Sequence, residues 1–354
     1  MRIAQVSPLI ESVPPRVYGG TERVVHYLTE ELVRQGHQVT LFASGDSETS
    51  AELVPLAEKA LRLDGRWRDP LAHHVRLVDA VARRADEFDV IHFHTDYVHF
   101  PLLRTLETPS VTTLHGRLDL PDLKPLFEHF HDVPVVSISN SQRRPLPMAN
   151  WQATVYNGLP ADLYRFVPKG GDYLAFLGRM SPEKGPERAI RIAQAAGREL
   201  VMAAKVDAVD RDYFDTVIRP LLKDPRVHFL GEVTDAEKQE LLGNALALVF
   251  PIDWPEPFGL VMIEAMACGT PVVAWPHGAV PEVLADGKTG FIVDSIADAA
   301  AAVERCRDLD RAACRRRFEE RFSARRMARD YAAVYRRLAA APAVPAARAM
   351  EMVS

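Results

Sequence analysis

Apolar residues along this chain fall into short runs separated by stretches of helical spacing, and the alternation occurs twice. Arg2 to Ser7 is a short apolar strand. Thr21 to Gln35 then places Val24, Val25, Leu28, Leu32 and Val33 on one helical face and stops at Gly36. Val39 to Ala43 reads as a strand, Leu71 to Ala85 as a helix, and Val90–Phe93, Ser110–Leu114 and Pro134–Ser139 as strands. Such alternation predicts a parallel sheet with crossover helices. Turn-forming residues are densest at Asn157-Gly158-Leu159-Pro160 and Pro168-Lys169-Gly170-Gly171, which puts a domain boundary there, with 1–156 before it and 157–324 after it. The pattern restarts with a strand at Tyr173–Leu177 and a helix at Pro186–Ala196. Strands follow at Leu200–Ala204, Val227–Leu230 and Ala247–Phe250. A helix begins after Gly259 and ends at Gly269, the expected left-handed C-terminal residue, before a strand at Pro271–Ala274. Arg311 to Leu338 is a long Arg-rich helical stretch with a break near Phe322-Ser323, and the Ala/Pro-rich tail 339–354 is expected to be disordered.

Composition narrows the class. The 354 residues, 47% hydrophobic and 26% charged, suit a soluble α/β chain with two cores. Met1 to Ser7 lacks the basic lead-in and apolar stretch of a signal peptide, and no apolar run reaches the length of a membrane span. Three cysteines without metal-type spacing fit a reduced, cytoplasmic compartment. A pI near 6.2 argues against nucleic acid as a partner. Residues 1–156 carry 16 Lys/Arg and 20 Asp/Glu, a net −4. That offers no basic face to anionic lipid, although a local patch could hold the chain peripherally at a membrane.

Ligands of doubly wound sheets bind outside the carboxyl ends of the strands, and two such domains would enclose an interdomain cleft. The candidate motifs fall just after strands. Gly19-Gly20-Thr21-Glu22 opens the first helix, where glycines permit close approach and free amides suit phosphate. Gly178-Arg179-Met180-Ser181-Pro182-Glu183-Lys184-Gly185 supplies two cations from one loop, one able to grip two phosphate oxygens and one a point charge. Glu256-Pro257-Phe258-Gly259-Leu260 leads into a helix whose Glu264 is a second carboxylate. A carboxylate only accepts hydrogen bonds, which suits hydroxyl groups, and a helix start suits an anion. Thr113-Leu114-His115-Gly116 puts an imidazole at a strand end. His92 and His94 share one strand face and could ligate a metal, but no clear third ligand accompanies them. There is no Gly-x-Gly-x-x-Gly after a strand, no Walker loop and no Gly-x-Ser-x-Gly elbow.

Taken together, these residues resemble the retaining glycosyltransferases of family 4, with the two-domain GT-B fold. The resemblance spans about residues 1–338. It rests on Glu256 and Glu264 with seven residues between them, on Gly178, Arg179, Lys184 and Gly185, on Gly19-Gly20, on His115, and on Asn157-Gly158. It implies two Rossmann-like domains, with the last helix, near 325–338, returning to the first. It implies that Arg179 and Lys184 hold the diphosphate of a nucleotide-sugar donor, aided by backbone amides at Phe258, Gly259 and Leu260. Glu256 would hold the sugar, Glu264 the ribose, and the Gly231-Glu232-Val233 loop the base. His115 would reach the donor sugar, while Gly19 and Gly20 would close over the diphosphate and help form the acceptor site. No metal or other cofactor is expected.

No unambiguous carboxylate nucleophile is evident; Asp96 and Asp119 are only near candidate loops. Same-face attack, with positioning and charge stabilisation supplied by the protein, is therefore the expected mechanism. UDP-glucose is the first donor expected, ahead of GDP-mannose and UDP-N-acetylglucosamine. The acceptor would be a small molecule or saccharide, chosen by the loops at 9–16, 96–101 and 117–124. The alternatives are a non-hydrolysing sugar-nucleotide epimerase of the same fold, a silent sugar-nucleotide-binding subunit, and a phosphorylase-like enzyme needing pyridoxal phosphate.

Overall fold

The computed structural model describes residues 1–16 and 19–340. The expected disordered tail is overturned at its start, because Ala339 and Ala340 complete a helix; the rest of that segment lies outside the described residues. The chain forms two compact units, one of Met1–Gly158 with the C-terminal helix, the other of Leu159–Ser323.

In the first unit β1 (Arg2–Val6), β2 (Gln38–Ser44), β3 (Glu52–Ala57), β4 (Val90–Phe93), β5 (Ser110–Leu114), β6 (Pro134–Ser137) and β7 (Asn150–Thr154) form one parallel sheet, ordered β3-β2-β1-β4-β5-β6-β7. The central strands are buried on both faces, which is why they read as apolar runs. Helix α1 (Gly20–Arg34) buries Val24, Val25, Leu28 and Leu32. Helix α2 (Pro70–Ala82) starts at Asp69, which caps Leu71 N, with proline at its first position. It stops three residues short of the expected end, and a 3-10 turn (Ala85–Glu87) follows.

The second unit repeats the scheme with β8 (Leu174–Arg179), β9 (Leu200–Lys205), β10 (Val227–Gly231), β11 (Ala247–Phe250), β12 (Val272–Ala274) and β13 (Gly290–Ile292), ordered β10-β9-β8-β11-β12-β13 and parallel. Its longer helices are α3 (Pro186–Ala196), α4 (Asp235–Gly243), α5 (Leu260–Cys268), α6 (Ile296–Arg305) and α7 (Arg311–Arg321).

Helix α7 looks too polar to be central, yet its arginines tie the unit together. Arg311 donates to the carbonyls of Val167, Gly243 and Ala245 and to Thr270 Oγ1. Arg315 donates to the carbonyls of Ala161, Tyr164 and Ala267. Arg317 donates to those of Glu282, Val283 and Leu284. Carbonyls at the C-terminal ends of α4, α5 and the short helix Val280–Val283 thereby gain cationic donors, which also suit the negative end of a helix dipole.

The C-terminal helix α8 (Ala324–Ala340) belongs to the first unit, where it packs on α1 and β4 and buries Tyr331 and Tyr335. No helix among the described residues is long and apolar enough to cross a membrane.

Candidate active site

In the second unit the strand order reverses between β8 and β11, and the loops leaving these two strands are sewn together. Such a reversal opens a crevice at the carboxyl ends of the strands. Arg179 ends β8, a 3-10 turn spans Pro182–Lys184, and Gly185 is left-handed at φ 70°. A Cβ on Gly185 would lie 2.2 Å from Pro251 O, so only glycine fits. Arg188 Nε donates to that same oxygen at 2.9 Å, and Asp253 N donates to Glu183 O at 2.8 Å. Lys184 Nζ donates to Glu256 Oε2 and lies 4.6 Å from the centre of the Trp254 ring. Trp254 Nε1 donates to the same carboxylate oxygen at 3.0 Å. Lys184 and Glu256, 72 residues apart in sequence, are therefore one ion pair over an indole, with Glu256 only 8% exposed.

Arg179 faces acids. It donates to Glu183, and Asp207 and Asp210 each lie 4.0 Å away. Lys205, its register partner on β9, pairs with Asp207 at 2.6 Å. Burial raises the Asp210 carboxyl; Asp207 and Glu183 push the same way, and Arg179 opposes them. Lys205, Asp207 and Asp210 are absent from the sequence-based site. Their signal is a sheet register that linear spacing does not carry.

Helix α5 starts at Gly259 with no side chain capping its first turn. Phe258 is 2% exposed with its ring near Phe322, so its side chain belongs to the core and only its backbone is available to a ligand. Leu260 is half-buried at the helix start. Glu264, further along α5, is buried, and its Oε1 accepts from Lys238 Nζ at 3.2 Å and Tyr164 Oη at 3.3 Å. Val233 lies elsewhere, on the loop after the edge strand β10, two strands from β8.

The first unit carries the other candidates at its own order reversal, between β1 and β4. Gly19 and Gly20 start α1, again with no side-chain cap, and the neighbouring Val17 and Tyr18 lie outside the described residues. Glu22, in the first turn, is buried and pushed up to about 7, chiefly by burial, with the charge of Glu11 adding to it. Glu11 is itself buried and paired with Arg62. Glu22 stands in the quoted Gly-Gly motif, yet nothing in the linear sequence shows that Glu11 sits beside it.

His115 follows β5. Its Nε2 meets His94 Nδ1 at 2.9 Å, and His94 Nε2 meets Gln5 Oε1 at 2.9 Å. Burial pushes His115 down to about 4 and His94 well below its ordinary value, so both are neutral near pH 7. The ring nitrogens of His92 are taken by Tyr335 Oη and Thr113 Oγ1. These hydrogen bonds give the paired histidines a structural role, and among the described residues no group of three or more His, Cys, Asp or Glu is placed to hold a metal ion. His99 stacks on Phe93 and bonds Thr95 and Thr112, which is a core role. Asp96 has φ 50° and a carboxyl raised by burial, whereas Asp119 is bound in an ion pair with Arg117.

Comparison with known proteins agrees with this architecture. The sequence family described as "Glycosyltransferase Family 4" matches residues 18–156, and "Glycosyl transferases group 1" matches residues 165–321. A phosphatidyl-myo-inositol mannosyltransferase of Mycobacterium leprae is 28% identical over 338 residues, covering 85% of this chain and 86% of the relative. A glycogen synthase of Mycobacterium tuberculosis is 28% identical over 372 residues, covering 90% of this chain and 88% of the relative. The crystal structure of AviGT4, a glycosyltransferase involved in avilamycin A biosynthesis, superposes with a TM-score of 0.74 at 26% identity, covering 96% of this chain and 98% of that one.

Proposed function

The chain belongs to the glycosyltransferases of family 4, with the GT-B fold, and from that premise we propose that it moves a hexosyl group from a nucleotide sugar to a hydroxyl acceptor with retention at the anomeric carbon. The observation that carries this reading is the knot of Lys184, Glu256 and Trp254 beside Arg179 and the uncapped start of α5. A diphosphate placed there meets two cations and a helix N-terminus, while Glu256 meets hydroxyl groups.

Arg179 trades its acidic neighbours for phosphate oxygens as the donor binds. Lys184 reaches the same diphosphate while Glu256 steadies it, so one contact reads charge and the other reads sugar. Amides at Phe258, Gly259 and Leu260 complete the diphosphate contacts. Glu264, held by Lys238 and Tyr164, accepts from the ribose, and Val233 borders the base. His115 serves the transferred sugar as a neutral hydrogen-bonding group. Gly19 and Gly20, with the loops of the first unit, serve the acceptor.

The bond from the anomeric carbon to the diphosphate oxygen breaks, and a bond to the acceptor oxygen forms on the same face. The acceptor proton passes to the departing diphosphate oxygen. The chain's contribution is placement and stabilisation of the charge building on that oxygen. Arg179→Ala and Lys184→Ala should each lower turnover about a hundredfold, the scale of losing one electrostatic donor.

UDP-glucose remains the first donor to test, with GDP-mannose next, since the relatives' names include a glycogen synthase and a mannosyltransferase. The buried free cysteines suit a cytoplasmic enzyme. The experiment is a thermal-shift panel of nucleotide sugars, followed by mass spectrometry of acceptor pools incubated with the stabilising donor. Stabilisation by none of them, together with no hexose-sized mass gain in any pool, refutes the reading.

A further inference from the structure

Seven polar side chains form one hydrogen-bonded chain inside the first unit. His115 Nε2 meets His94 Nδ1 at 2.9 Å, and His94 Nε2 meets Gln5 Oε1 at 2.9 Å. Gln5 Nε2 meets Tyr335 Oη at 3.1 Å, and Tyr335 Oη meets His92 Nδ1 at 2.6 Å. His92 Nε2 meets Thr113 Oγ1 at 2.7 Å, and Thr113 Oγ1 meets Tyr331 Oη at 2.8 Å. Gln5, His92, Thr113, Tyr331 and Tyr335 are wholly buried, and His94 is 2% exposed. Only His115, at one end, is half-buried.

Counting hydrogens sets the order. Burial holds the three histidines neutral, with one N–H each. The three hydroxyls bring one hydrogen each, and Gln5 donates at one end and accepts at the other. Setting aside the second N–H of the Gln5 amide, which belongs to none of these contacts in either order, seven hydrogens serve six contacts, and one is left over. Left on Tyr331, or anywhere inside, it is a buried O–H or N–H without an acceptor among the described residues, at a cost of about 1–3 kcal/mol. Left on His115, it sits on Nδ1, which has no hydrogen bond among the described residues and lies at the open end.

The order that leaves no further buried hydrogen unpaired therefore runs outward. Tyr331 donates to Thr113, Thr113 to His92 Nε2, His92 Nδ1–H to Tyr335, Tyr335 to the Gln5 carbonyl, Gln5 N–H to His94 Nε2, and His94 Nδ1–H to His115 Nε2. It requires the Gln5 amide to be turned by half a turn, exchanging its two ends between His94 and Tyr335 and moving no other atom.

We propose that Gln5, His94, His92, Thr113, Tyr331 and Tyr335 act as positioning residues that hold His115 as the neutral tautomer with Nδ1–H pointing outward, a hydrogen-bond donor to an oxygen of its ligand. Under the proposed function, on which the identity of the ligand rests, that oxygen belongs to a hydroxyl of the transferred hexose. The chain makes His115 a donor at a pH where a free imidazole could take either role.

Nitrogen-15 labelling of histidine, read by long-range proton–nitrogen correlation at neutral pH on the full chain without ligand, tests this directly. His115→Asn and His94→Gln variants assign the signals. The expected result is a protonated Nδ1 and a bare Nε2 on both His115 and His94. A protonated Nε2 on His115 overturns the proposal. Tyr335→Phe breaks the chain in its middle and should give His115 nitrogen signals averaged between tautomers. With the proposed donor, its kcat should fall about tenfold while its Kd for the free nucleoside diphosphate stays within twofold. Unchanged His115 signals in a folded Tyr335→Phe protein also overturn it. The wild-type spectrum needs no substrate, so it stands or falls separately from the assignment of transfer activity.

Discussion

Gly185→Ala should disable transfer far more than it destabilises the protein. The added methyl would sit 2.2 Å from Pro251 O and 3.0 Å from Arg188 Nε. Carbon and oxygen in ordinary contact sit near 3.4 Å or beyond, so the loop after β8 must withdraw by about 1 Å from the loop after β11. That gap loosens Arg188 Nε to Pro251 O, Asp253 N to Glu183 O, and the Lys184–Glu256 pair. Alanine at φ 70° adds strain of about 1 kcal/mol. Strain plus two weakened hydrogen bonds amounts to about 2–3 kcal/mol of stability. The catalytic effect is larger, because a 1 Å misplacement can cost about 10²-fold in rate. Gly197→Ala is the matched control: its φ is 62°, it ends α3, and nothing lies within 4 Å of the added carbon. Steady-state transfer kinetics and thermal denaturation on both variants separate strain from close approach. Gly197→Ala should lose about 1 kcal/mol, or 2–4 °C in Tm for a unit of this size, and keep its kcat. If Gly185→Ala transfers at the wild-type rate, or both variants lose the same turnover, the sewn-loop account is wrong.

Further expectations follow from other parts of the molecule. Glu256→Gln removes the charge that holds Lys184, so kcat should fall at least tenfold while nucleoside diphosphate binding, read by calorimetry, holds or tightens; equal losses in both would move Glu256 out of the sugar contact. Arg311→Met leaves three carbonyls and a hydroxyl without their donor and should cost about 3 kcal/mol in denaturant unfolding, whereas Arg316→Ala, on the surface, should stay within about 0.5 kcal/mol; similar values for the two would deny α7 its tying role. Acid should unfold the first unit early. His92, His94, His99 (about 3) and His115 (about 4) refuse protons that the unfolded chain accepts below about pH 6.5, so stability falls as pH drops from there. Glu22, raised to about 7, works in the opposite direction and offsets one of them. The urea midpoint should drop steeply between about pH 6.5 and 5 and less steeply in His99→Phe, and a flat profile would contradict the buried neutral histidines.

What the sequence made legible follows burial. Strands covered on both faces, such as Val90–Phe93 and Ala247–Phe250, stand out as apolar runs and are found where expected. The edge strands Glu52–Ala57 and Asn150–Thr154 are half-exposed: the first is broken by Pro55, which reads against a strand, and the second carries no apolar run. Gly290–Ile292 is only three residues long, so none of the three is evident in the sequence. Loop motifs placed Arg179, Lys184 and Glu256 in one domain. That Lys184 and Glu256 are partners across 72 residues is a product of strand order, which spacing alone does not encode. Glu11 beside Glu22, and His94 behind His115, were hidden for the same reason. The arginines of α7 were read simply as an Arg-rich helix, because their carbonyl partners have no side-chain signature.

Helix α8 gives the chain an awkward birth order. The first unit begins at Met1, yet Tyr331 and Tyr335, which close over His92 and Thr113, are among its last described residues. On the ribosome the second unit, continuous from 159 to 323, can finish folding while the first still waits for its final helix. Until then a nascent chain carries an open polar seam along β4 and β5. A nascent chain held with residue 323 just clear of the ribosomal exit tunnel would display a completed second unit and a first unit still open to chaperones and proteases.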